Sequence, residues 1–177
     1  MVYKNHPIEL ENNTAFKSIK GIETLFNELH EQGKVLRWRS KKIYFVLWLR
    51  AFITRKMAQL PCFKINFNLE DERISENRIM ASDEQLETIF ENLFSNSVRA
   101  ITVVQIKKHS FIGKIDITVG RKEKSLEVIF TDNGAKYDTV SGRGINQIET
   151  EMQSLKGEIH INKNPYQTQL VFPIAEV

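Results

Sequence analysis

The chain has 177 residues, of which 41% are hydrophobic and 27% charged, with a net charge of +3. This suits one ordinary soluble domain, or a small domain with an appendage, and the mild charge gives no argument for a nucleic-acid reader. A membrane span needs roughly 18 apolar residues, so the run from Ile43 to Ile53, which includes Arg50, is excluded. The N-terminus MVYKNHPIEL lacks a basic region followed by an apolar core, and the lone Cys62 rules out an internal disulfide framework. A reducing, cytoplasmic location is therefore expected.

In chain order, residues 1–13 read as irregular, because His6 precedes a proline. Phe16, Ile19, Ile22, Leu25, Phe26 and Leu29 then recur at helical spacing, which predicts a helix from about Thr14 to Gln32, stopped by Gly33. A second helix is predicted from about Ser40 to Leu60, ended by Pro61. Its middle is apolar nearly all round, so it must be buried on several sides, against the following domain or a second copy of itself. A homodimeric four-helix bundle built from two hairpins is the economical solution.

The period changes after Pro61. Phe63, Ile65, Phe67 and Leu69 alternate with polar residues and predict a half-buried strand. A charged loop, Glu70 to Asn77, and a short extended piece, Arg78 to Ala81, lead to the helix SDEQLETIFENLFSNSVRA, with Ser82 or Asp83 as its cap. Whether Ile101 to Ile106 continues that helix or forms a strand is open from the residues alone. Strands follow at Lys114–Arg121 and Leu126–Phe130, the latter running into Asp132-Asn133-Gly134. Gly142-Arg143-Gly144 opens a helix carrying Ile145, Ile148, Met152 and Leu155, and two more strands end the chain. The predicted class is α+β: a two-layer sandwich, with helices on one face of a mixed sheet, preceded by an N-terminal helical hairpin. The expected domains are residues 1–60, for dimerisation, and residues 61–177.

Three pieces carry chemistry. Asn92 and Asn96 are four apart and stack on one side of their helix, where asparagine is a modest helix former. An asparagine oxygen suits Mg²⁺. Asp132 at a strand end can accept the amino group of a base, and Gly134 lets a base approach the backbone. Gly142, Arg143 and Gly144 offer free N–H groups and a positive dipole end to phosphates. Arg99, three residues after Asn96, shares its face and can meet a phosphate.

In this order, on these elements, the pieces resemble the catalytic ATP-binding domain of histidine kinases, within the superfamily that includes gyrase, the heat-shock chaperone ATPases and the mismatch-repair ATPases. The resemblance covers about Cys62 to Ile174. ASDEQLETIFENLFSNSVRA is similar to the asparagine box, FTDNG to the first glycine box and SGRGINQIETEMQSLKGEIHI to the second. It implies that Asn96 holds Mg²⁺ with Asn92 assisting, that Arg99 replaces a phosphate-contacting lysine, and that Asp132 and Gly134 adjoin adenine. Lys136 stands where the family has a glycine. The loop AKYDTVS is shorter than the usual nucleotide lid, which puts turnover in doubt more than binding.

Two further residues are candidates. Glu91 could serve as a general base, although it points about a third of a turn from Asn92. His30-Glu31 resembles the family's phosphoacceptor histidine and its acidic neighbour, but QGKVLRWRS lacks the expected continuation, and a surface histidine is the plainer reading. The resemblance implies an ATP- and Mg²⁺-dependent phosphotransferase in two-component-type signalling, homodimeric, with a response regulator or other signalling protein as partner. Two alternatives stand beside it. One is a catalytically weak or inactive nucleotide-binding adaptor; the other is an anti-sigma-type serine kinase, which needs no histidine.

Overall fold

The computed structural model describes residue 24, residues 40–135, 143–163 and 166–176. The chain divides into two compact units, Met1–Arg39 and Ser40–Val177. In the first, only Thr24 is described, and it is helical. The rest of the helix expected over 14–32 lies outside the described residues, as do His30, Lys136 and Gly142.

The second unit is built on a five-stranded mixed sheet. Its strands are β2 (Phe63–Leu69), β4 (Gly113–Lys122), β5 (Ser125–Asp132), β7 (Tyr166–Pro173) and β6 (Glu158–Lys163), side by side in that order. Strand β2 runs parallel to β4, and every other pairing is antiparallel. Alternation along β4 and β5 buries Ile115, Ile117, Val119, Leu126, Val128 and Phe130 on one face. Three helices, α1 (Phe45–Gln59), α2 (Asp83–Lys107) and α3 (Arg143–Ser154), contribute buried residues to the same cluster, giving the α+β class expected from the sequence. No described helix is long and apolar enough to cross a membrane.

The N-terminal side of this unit corrects the expected helix from Ser40. Lys41–Tyr44 is a strand, β1, paired antiparallel with β3 (Arg78–Ala81), so that Ile43 lies opposite Ile79. Both isoleucines are buried. The ladder pairs the backbone groups that face β3, and the pleat turns the exposed Lys42 and Tyr44 away from Ile43. The helix starts only at Phe45.

Of the two partners open to this apolar helix, the described residues show the following domain. Phe45 and Phe52 stack into an aromatic chain through Phe90, Phe94 and Phe172 to Phe130 of β5, with ring centroids 4.9 to 6.1 Å apart. Each such ring buries a large apolar surface, and tilted pairs add to that stabilisation. The expected division after residue 60 therefore separates α1 from residues it packs against.

Helix α2 lies at the centre. Its start is a full capping box: Ser82 Oγ accepts from the Gln85 N–H, and the Gln85 side-chain oxygen accepts from the Ser82 N–H at 3.0 Å. It continues to Lys107, so Ile101–Ile106 is helical. Ile101 is fully buried against Phe63 and Gly113, and this packing outweighs the weak helix propensity of the β-branched run.

Candidate functional site

Two turns of α2 gather the three motifs. The Asn92 amide is oriented by two bonds: its Nδ2 donates to the Thr88 carbonyl at 2.8 Å and to Gln147 Oε1 of α3 at 3.3 Å. With both donors engaged, Oδ1 is the free acceptor. It points at Gly144: a Cβ placed there would be 3.0 Å from Asn92 Oδ1 and 3.6 Å from Asn96 Oδ1. Both asparagine oxygens thus converge on the first turn of α3, where backbone N–H groups have no partner within the helix. Asn96 is half-buried, and its side chain makes no hydrogen bond among the described residues.

One residue further, the helix turns by about 100°, and Ser97 faces the end of β5. Its Oγ lies 2.6 Å from Asp132 Oδ2, while the Gly134 N–H donates to Oδ1 at 2.8 Å. Another turn along, the Ala135 N–H donates to the Ala100 carbonyl. Gly134 is needed here for a reason other than the expected approach of a base. A Cβ would meet the backbone of Ala100 and Ile101 at 2.5 Å, so the glycine lets the loop lie against α2. Asn133 fastens the loop to β4: its Oδ1 accepts from the Lys114 N–H at 2.7 Å, and its Nδ2 donates to the Ile112 carbonyl at 3.0 Å.

The structure thus brings together Asn92, Asn96, Asp132, Gly134 and Gly144. Arg143 is the first residue of α3. Arg99 is exposed and has no ion pair among the described residues. Glu91 lines the groove beside Asn92 but is tied to α1. It pairs at 2.6 Å with Lys56 of α1, whose ammonium also lies over the Phe52 ring. Arg55 engages Glu87 in the same way, at 2.6 Å. These two ion pairs offset part of the acidic charge of a groove lined by Glu84, Glu87, Glu91, Asn92 and Gln147.

The sequence alone does not single out Ser97 or Gln147. A serine among the buried positions of an amphipathic helix is the available signal for the first. Gln147, three residues after Gly144 and on the same face of its helix, offers one for the second. Among the described residues no cluster of three or more His, Cys, Asp or Glu could hold a metal ion. The oxygens that converge on the Cβ-free Gly144 are the amide oxygens of Asn92 and Asn96, hard donors of the kind that Mg²⁺ takes.

No protein-family model and no curated protein matches the chain. Among solved structures it is similar to the catalytic domain of the histidine kinase ThkA in a nucleotide-free form. The TM-score is 0.58 and the identity 16%, over 76% of this chain and 97% of that one. It is also similar to the Acinetobacter baumannii histidine kinase AdeS, with TM-score 0.61 and 14% identity over 97% and 88% of the two chains. A third similar structure is the mycobacterial sensor histidine kinase MprB, with TM-score 0.57 and 10% identity over 79% and 99%. The chain has the fold of a histidine kinase catalytic domain.

Proposed function

We propose that this chain binds ATP with Mg²⁺ and acts as a histidine-kinase-like phosphotransferase in two-component-type signalling. The observation that carries the reading is the meeting of the Asn92 and Asn96 oxygens at Gly144, with Asp132 held one residue away through Ser97. Asp132 accepts the amino group of the base. Asn96, with Asn92 beside it, supplies oxygen ligands to the cation, which when bound neutralises phosphate charge. The N–H groups at the start of α3, with Gly142, Arg143 and Gly144, cradle the phosphates. Arg99 approaches them from α2. The protein's own contribution is positioning and charge neutralisation.

This reading requires a phosphoacceptor histidine, for which the resemblance offers His30 against the plainer reading of a surface histidine, and it pairs the chain with a second copy through its N-terminal segment and with a response regulator. A cytoplasmic setting fits this chemistry. A second reading, a nucleotide-binding adaptor that does not turn ATP over, is favoured by the Lys56–Glu91 ion pair, which engages the glutamate that precedes Asn92 and is the candidate general base. Incubation with γ-labelled ATP and Mg²⁺ separates the two. Acid-labile, base-stable label on the protein is expected of the kinase. Acid-stable label points to a serine kinase, and binding without label to the adaptor. Calorimetric ATP affinity should fall at least about tenfold in Asp132→Asn, the scale of one charged hydrogen bond; unchanged affinity would refute the base pocket.

A further inference from the structure

Ser97 is a polar residue where the fold asks for an apolar one. It is 3% exposed, on the side of α2 that buries Leu93, Phe94, Ala100 and Ile101. Alanine would be the better helix former and would bury no polar atom. The hydroxyl instead lies 2.6 Å from Asp132 Oδ2, as the Gly134 N–H reaches Oδ1 at 2.8 Å. An ionised carboxylate only accepts, so the single serine proton is committed to it. One donor on each oxygen fixes the plane of the carboxylate, since rotation about Cβ–Cγ would break both bonds. The lone pairs left over on Asp132, with those of the Ser97 oxygen, are acceptors. A ligand group reaching them must therefore be a donor.

We infer that Ser97 is a positioning residue for base recognition, holding the Asp132 carboxylate so that the site takes a 6-aminopurine and discriminates against a purine that lacks the amino group. This rests on the ATP reading above. The alignment matters only to a ligand that carries the amino group, which separates it from a merely structural role.

The test is the Kd of ATP and of purine riboside triphosphate, which lacks the 6-amino group, for the wild type, Ser97→Ala and Asp132→Asn. The serine-to-alanine change removes one oxygen and leaves no sizeable cavity, so the variant is expected to fold. The wild type is expected to prefer ATP by about tenfold or more. Ser97→Ala should narrow that preference about fivefold by weakening ATP alone, the scale of one hydrogen bond removed. Equal weakening of both ligands, or no change in either, would overturn the role of Ser97. If Asp132→Asn abolishes the preference while Ser97→Ala keeps it, the nucleotide reading stands and only the serine's role fails. If Asp132→Asn leaves ATP binding unchanged, both fail together.

Discussion

At the scale of single residues, the site depends on what is missing at Gly144. Its absent side chain leaves room beside two amide oxygens, and Gly144→Ala would put a methyl group 3.0 Å from Asn92 Oδ1. Among the described residues its nearest neighbours are the Asn92 and Asn96 side chains, so the cost to folding should be small, while ATP affinity should fall about tenfold or more, the scale of one charge-assisted hydrogen bond. Thermal melting and calorimetry on the same sample distinguish these effects. Gly134→Ala should behave in the opposite way. Its Cβ would meet backbone, which cannot move aside, and the loss should appear in stability, by about 1–3 kcal/mol, as for an overpacked core. Two glycines, both read from the sequence as ligand-facing, thus carry separable burdens.

At the scale of elements, α1 is held by aromatic packing, and α2 by its buried face, with its cap fixing where it starts. Phe52 is 1% exposed and touches Trp48, Phe90 and Phe94. Phe52→Ala should cost about 3–5 kcal/mol in urea unfolding, as for other buried aromatics. A much smaller loss would mean that α1 is only loosely docked. On the open side of the sheet, Asp116 of β4 joins Asn66 of β2 at 2.6 Å and Lys114 at 2.9 Å. Burial pushes its pKa up, but the bonds from Asn66 and Lys114 outweigh this and hold it below the usual 3.8. A lowered carboxylate pKa stabilises the fold above the unfolded-state value, and that stability is lost as pH falls through the folded value. The side chain is 37% exposed, so the contribution is at most about 1 kcal/mol after screening. Asp116→Asn should flatten the stability curve below about pH 4 by that amount.

At the scale of the whole molecule, the sequence carried the sheet and its helices because alternation and helical spacing are direct traces of which side faces the core. The asparagines stacked on one helix face read alone as solvated amides, and only their order with Asp132-Asn133-Gly134 and Gly142-Arg143-Gly144 marked them as candidates. The strand β1 was not legible. Four residues preceding a helix of the same hydrophobicity carry no period of their own, and their pairing with β3 is a long-range fact. The place of Ser97 was hidden likewise: one hydroxyl on a buried helix face gains meaning only when the end of β5 is placed beside it. Association of two chains through the N-terminal segment belongs to this scale too, and chain mass in solution checks it, with twice the monomer mass expected and a strict monomer contradicting it. The central claim is that α2 presents a cation-assisted nucleotide site. It is tested most directly by calorimetric titration of ATP with and without Mg²⁺, on the wild type and Asn96→Ala. The wild type should bind ATP saturably and several-fold more tightly with Mg²⁺, and Asn96→Ala should lose that Mg²⁺-dependent gain. Absence of saturable binding in the wild type, or an equal Mg²⁺ effect in both proteins, would contradict the account.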